Sequence, residues 1–232
     1  MTVLEVIDMD MSPVWISLKT GVTSIIFTFF IGLLFAKWVM DRKSEFFKMI
    51  IDGVFTMPLV LPPTVAGFFL LCIFGNNSVI GKFFITVFGF KIAFSWAATV
   101  IAAVVISFPL MYRSARAALE SVDKDVLNVA RTIGMSENSI FVKVMIPNAM
   151  EGIVSGAIIA FARGLGEFGA TSMLAGNIMG KTRTLPLAVY SEVAAGNMKK
   201  AGIYVAIIVS VCFVAVLFMN IYRFYINEKR KN

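Results

Sequence analysis

Ala201–Tyr222 reads AGIYVAIIVSVCFVAVLFMNIY, a stretch without one charged side chain. A helix rises about 1.5 Å per residue, so roughly 20 apolar residues cross the ~30 Å hydrocarbon core of a bilayer. In lipid a helix keeps its backbone hydrogen bonds within one segment, which makes it the default reading of such a run. The rest of the chain repeats the pattern. Val54–Phe74 and Ile92–Tyr112 are equally free of charge, and Val22–Met40 carries only Lys37, near its end, where a lysine snorkels to the headgroups. A fifth segment is weaker. Gly152–Ala162 is apolar but short, and it continues through Arg163 and Glu167 into Phe168–Gly180. It reads as one membrane helix with an interrupted, glycine-rich second half.

The spans therefore fall at 18–40, 54–74, 92–112, 148–175 and 200–224, within a single domain over 1–232: an all-α, polytopic membrane helix bundle of about five transmembrane helices. Composition agrees. The chain is 59% hydrophobic and 15% charged, whereas soluble domains carry about 25% charged residues. Its formal charge of +7 is explained by basic loops facing anionic lipid, and no nucleic acid is needed as a partner. Histidine is absent, which removes the usual general base and the commonest metal ligand. With no close cysteine pair and few carboxylates in the apolar runs, no catalytic constellation or metal site is available, so the chain is not expected to be an enzyme. Cys72 and Cys212 each lie inside an apolar run and read as buried small hydrophobes rather than a disulfide. Residues 1–17 carry Glu5, Asp8 and Asp10 and no basic segment, so the first apolar run is expected to stay in the mature protein.

Orientation follows from the basic residues of the short loops. With the amino terminus outside, the inner face receives Lys37, Arg42, Lys43, Lys48, Arg113, Arg116, Lys124, Arg131, Lys143, Arg223, Lys229, Arg230 and Lys231. The outer face receives only Lys19, Lys82, Lys91, Lys181, Arg183, Lys199 and Lys200. The amino terminus is thus expected outside and the carboxyl terminus in the cytoplasm. A sixth crossing at 185–195 would reverse the last cluster, so that stretch reads as a short outer-face or re-entrant segment.

The largest inward-facing element, 113–147, has structure of its own. Val126, Val129, Ala130 and Ile133 recur at helical spacing and make an apolar stripe. Gly134 then supplies a stop suited to a left-handed cap. Ser136 is a good N-cap for a second helix, which would run to Pro147 and turn the chain back into the membrane. The stripe of this helix–Gly–helix elbow can lie on lipid or insert into a partner protein.

Within the membrane, Met57-Pro-Leu-Val-Leu-Pro-Pro-Thr64 places Pro58, Pro62 and Pro63 in one predicted helix. They kink it, either for packing or to open a pore-lining break. Arg163 and Glu167 are four apart and can pair. Ionisable residues in a span are costly, so they are functional candidates, although a self-neutralising packing pair is equally consistent. Gly164, Gly166 and Gly169 allow close helix approach. Ala175–Thr182 fits a loosened phosphate-loop pattern, but a membrane helix precedes it where a strand is required. ATP must come with a partner.

The cytoplasmic elbow resembles that of binding-protein-dependent ABC importer permeases, which carry Glu-Ala-Ala, three residues, Gly, nine residues, Ile, one residue, Leu-Pro. Here Asn128-Val129-Ala130, Gly134, Val144 and Ile146-Pro147 stand at those spacings. Asn128 departs from the glutamate and leaves no charge there for a salt bridge. Val129 departs from the first alanine; Val144 and Ile146 are conservative changes. The resemblance implies a type I importer permease in which Asp123–Pro147 is the coupling helix docked on a cytoplasmic ATPase. Leu59–Gly67, Ser107–Leu110, Phe161–Thr171 and Gly176–Pro186 are similar to the molybdate branch of that family, with sulfate/thiosulfate and tungstate permeases close by. The likeness implies a homodimer of permease chains with two ATPase subunits and an extracytoplasmic solute-binding protein. It also implies a prokaryotic cell membrane, an oxyanion substrate, no cofactor on this chain and ATP-Mg on the ATPase. Two identical chains with a pore on their axis also suit five helices, too few to enclose a cavity alone. A sulfate/thiosulfate importer is the nearest alternative. A secondary ion-coupled transporter would need inverted repeats and coupling carboxylates, and only Glu167 sits deep.

Overall fold

The computed structural model describes residues 10–231, and among them the regular elements are all helical. Glu5 and Asp8, whose charges mark the first run as one expected to be retained, lie outside the described residues. In chain order the helices are α1 (Ser12–Met40), α2 (Glu45–Val60), α3 (Pro63–Phe74), α4 (Val79–Phe88), α5 (Trp96–Glu120) and α6 (Lys124–Thr132). There follow α7 (Glu137–Ile140), a π-helical turn (Phe141–Met145), α8 (Ile146–Leu165), α9 (Gly169–Leu174), α10 (Leu185–Ala194) and α11 (Met198–Lys231).

The centre is a three-helix bundle of α1, α5 and α8. Lipid tails are as apolar as leucine, so helices in a membrane associate through close packing and interhelical hydrogen bonds. Both devices are present. A Cβ added at Gly32 of α1 would lie 2.7 Å from Met111 Cγ of α5, so only glycine lets these two helices approach as they do. Thr20 and Thr99 share a hydrogen bond of 2.9 Å, Thr28 and Ser107 one of 3.2 Å, and Trp96 Nε1 donates to Thr20 Oγ1 at 3.0 Å. Ala36, Met111, Tyr112, Ala115 and Ile153 close the core around them.

Among the described residues, four helical stretches are long and apolar enough to cross a membrane: α1, α5, the α7–α8 run and α11 as far as Tyr222. α2 and α3 qualify only together, bent by 111°, which makes five when the pair counts as one. The single kinked helix expected over 54–74 is therefore a true break. Pro58 sits inside α2, but Leu61 (ψ 140°) and Pro62 (ψ 134°) are extended. A residue before proline is driven from the α region, and the Pro62-Pro63 pair applies that restriction twice in succession.

The bundle extends past the membrane boundaries read from hydropathy. α5 continues to Glu120, because Arg113–Glu120 is rich in strong helix formers, so the predicted loop 113–147 starts eight residues too early. Nor does Pro147 turn the chain back. It lies in the first turn of α8, where its missing N–H is tolerated, and the wider π turn before it gives room for the ring. α10 is ten residues long, too short to cross alone; it buries Leu187, and packs Leu185 and Ala188 beside Tyr204 of α11. Cys72 and Cys212 are free thiols, Cys72 exposed and Cys212 half-buried. The expectation of burial failed because their apolar surroundings face outward from the bundle rather than into it.

Candidate functional site

Two regions hold the residues singled out by sequence. The first is the elbow. Asp123 caps α6, its carboxylate accepting from Asp125 N–H at 2.8 Å, and Ser136 caps α7 by accepting from Ser139 N–H at 3.4 Å. Gly134 lies between them at φ +83°, a left-handed conformation that glycine adopts without cost. Arg131 bridges the two arms through a bidentate pair, Nε to Glu137 Oε1 at 2.7 Å and Nη2 to Oε2 at 3.2 Å. Its hydrogen bond to the Glu137 carboxylate, ahead of that group's charge, raises the Arg131 pKa above its ordinary value. Asn128 accepts from Arg131 Nη1 at 3.2 Å. Lys37, at the end of α1, donates to Asn138 Oδ1 at 2.7 Å and stands over the Phe141 ring, which ties the elbow to the bundle.

The predicted stripe splits. Ala130 turns inward and is buried, with Leu127 packed against the core beside it. Val126, Val129 and Ile133 face away and are 45%, 62% and 71% exposed. Val144 lies in the π turn, half-buried, and Ile146 and Pro147 open α8, Pro147 exposed. The elbow is thus a rigid arm with a bare apolar edge.

The second region joins the two broken spans. α8 ends at Leu165, Gly166 is its exposed C-cap, and the chain resumes as α9. Arg163, 34% exposed at its side chain, donates from Nη1 to Glu167 Oε2 at 2.8 Å, while Glu167 is 2% exposed. The other carboxylate oxygen accepts from Ala170 N–H at 2.8 Å. Glu167 therefore bridges the end of α8 and the start of α9. α9 in turn lies against α3 at contact distance: a Cβ on Gly169 would meet Pro63 Cβ at 2.7 Å, and one on Gly67 would meet Ala170 Cα at 2.7 Å. Pro62 caps α3 and is exposed; Pro58 is half-buried and stands apart, within α2. Gly164 is buried at ordinary contact with Ser24 and Ala103 of the bundle. So Pro63, Gly67, Glu167 and Gly169 form one clamp.

Sequence reading missed a third cluster. Asp52 of α2 bonds both the Tyr112 hydroxyl and the Arg116 guanidinium of α5, and Arg116 Nε also reaches Glu120 Oε1 at 2.7 Å. Phe55, one turn on, sits among Phe35, Phe108 and Tyr112. These contacts are the main tether of α2, which otherwise buries no residue fully. The available signal was an acidic residue at the mouth of the charge-free run 54–74.

A family model described as "Binding-protein-dependent transport system inner membrane component" matches residues 18–231. The molybdenum transport system permease protein ModB of Escherichia coli (strain K12) is 42% identical over 184 residues, 79% of this chain and 80% of that protein. ModB of Haemophilus influenzae is 39% identical over 183 residues, with the same coverage. Among solved structures, a chain of the MetNI methionine ABC transporter in inward-facing conformations matches with a TM-score of 0.72 at 18% identity, covering 95% of this chain and 96% of that one. A chain of an amino acid ABC transporter matches with a TM-score of 0.62 at 20% identity, covering 99% and 100%. These structural likenesses carry the fold. The chain belongs to the family of binding-protein-dependent transport system inner membrane components.

Proposed function

We propose that this chain is the membrane-spanning permease subunit of an ATP-driven importer of molybdate, with tungstate as an accepted analogue. The observation that carries the reading is the 42% and 39% identity to molybdenum transport permeases across four-fifths of the chain. The bare edge of Val126, Val129 and Ile133 supports the mechanical half of it, since exposed apolar side chains on a rigid, charge-pinned arm suit insertion into a protein groove. ATP and its magnesium bind on a partner ATPase. Two permease chains, two ATPases and an extracytoplasmic solute-binding protein make the working assembly, with the amino terminus outside and the elbow in the cytoplasm. Closure of the ATPase pair pulls on Asp123–Pro147, and the pull reaches the spans through α8, which is continuous with the elbow. Access then alternates between the two faces.

The reading is tested by binding-protein-dependent uptake into vesicles, with molybdate, tungstate and sulfate in competition. Molybdate uptake that needs ATP and the binding protein, outcompeted by tungstate and little affected by sulfate, is the expected result. Uptake of sulfate alone, or uptake that persists without ATP, overturns it. Gly134→Val separates the mechanical claim: it forces a branched residue to φ +83°, which strains the elbow by about 1–3 kcal/mol. Transport is expected to be lost while hydrolysis by the isolated ATPase is unchanged.

A further inference from the structure

α8 has three faces, and one of them has no business in lipid. At about 100° per residue, Ala149, Ile153, Gly156, Ala160 and Gly164 fall on one side, and all are buried in the bundle. Met150, Val154, Ala157, Ile158 and Phe161 fall on a second, wholly apolar side. The third side runs the length of the helix as Asn148, Glu151, Gly152, Ser155, Ile159 and Arg163, and none of these is buried. Polar and ionisable side chains in a span face a partner or water, not hydrocarbon.

The inner half of this face opens on a cavity of about 350 Å³, bounded by Asn148, Glu151, Gly152 and Ser155 and, across from them, by Ala118 and Ser121 of α5. A single water needs only about 10–15 Å³ of such space in a polar site. The polar groups there are already engaged: Asn148 Nδ2 donates to Val144 O and Ser155 Oγ to Glu151 O, both at 2.8 Å. Such a wall is wettable without offering a dianion a tight binding site.

We infer that this face of α8 lines the route of the translocated oxyanion, a hydrated dianion passing from Arg163 at one end past Ser155 to Asn148 and Glu151 at the other. The inference rests on the importer reading above. Arg163 supplies the attractive charge, moderated by its bond to Glu167. A route through a pump must be weakly binding along its length, because an anion held tightly would stall the cycle.

The experiment uses the full chain reconstituted with its ATPase and solute-binding protein, in a Cys72→Ser, Cys212→Ser background. Single cysteines are placed at Ser155 and, as the apolar-side control, at Ile158, and both are treated with a membrane-impermeant, negatively charged thiosulfonate. Ser155→Cys is expected to react about tenfold faster than Ile158→Cys, because the thiolate forms in water, and its modification is expected to block molybdate uptake. Ser155→Asp, which adds a negative charge on the route, is expected to cut uptake about tenfold. Equal, slow labelling of both cysteines with and without ATP overturns the inference, as does wild-type uptake by Ser155→Asp. If the wild-type assembly takes up none of molybdate, tungstate and sulfate, the importer reading itself has failed.

Discussion

The elbow and the clamp both turn on glycine, for opposite reasons. At Gly134 an added Cβ would meet nothing within 4 Å, yet φ is +83°, so the residue is needed for its backbone. At Gly67 and Gly169 the helices are ordinary, and an added Cβ would run into Ala170 Cα or Pro63 Cβ at 2.7 Å, so the residues are needed for their size. The difference follows from what surrounds each. The elbow is held by local bonds, Arg131 to Glu137 and Lys37 to Asn138, and leaves its apolar edge open. The clamp is held by tertiary contact between segments about a hundred residues apart in sequence, and it leaves no space. One region is shaped to receive force from outside, the other to keep two broken helices together while force passes.

That contrast predicts that clamp substitutions act on stability and elbow substitutions on coupling. The largest effect on stability belongs to Gly67→Val, which drives side-chain atoms into the α9 backbone and should cost about 3 kcal/mol. It is read as a lowered unfolding midpoint in detergent; an unchanged midpoint would break the comparison. Arg163→Leu comes next. It strips the ionic partner from a carboxylate that is 2% exposed, leaving only the Ala170 N–H, at a cost of about 2 kcal/mol. Arg163→Leu combined with Glu167→Gln should recover most of that loss, and failure to do so would mean the pair is not what holds α8 to α9. Val129→Asp is the smallest on this scale, within about 0.5 kcal/mol, because the side chain is 62% exposed. It should nonetheless sever ATPase binding, measured by co-purification. An ATPase retained at wild-type stoichiometry would show that the exposed edge serves something else.

What could be read from sequence was what local physics decides. Charge-free runs announce spans because length and desolvation suffice. Gly134 and Ser136 announce a stop and a start because a backbone conformation and an N-cap are properties of one or two residues. The elbow's inward side is not legible: Ala130 falls on the same apolar stripe as Val126, and only the packing of Leu127 against the core shows that the helix is rolled to bury it. The proline pair was legible as a disturbance but not as a 111° bend, since that angle depends on where α9 offers its glycine. Asp52 was illegible for the plainest reason: its partners Tyr112 and Arg116 lie 60 and 64 residues away, and nothing near Asp52 indicates them. The Arg163–Glu167 pair could be anticipated from its spacing, whereas the second duty of Glu167, bonding the first turn of α9, could not.

The last helix has a consequence of plain dimension. α11 runs 34 residues, about 51 Å at 1.5 Å per residue, against a hydrocarbon slab of about 30 Å. Tilting a rod of that length to fit would take an angle of over about 50°, beyond the 0–40° that membrane helices adopt. The charge-free stretch ends at Tyr222, and 223–231, with Arg223, Glu228, Lys229, Arg230 and Lys231, continues the same helix without a break. The bilayer therefore gauges α11 like a ruler pushed through a board: the apolar length sets the depth, and the helix backbone runs on past the hydrocarbon.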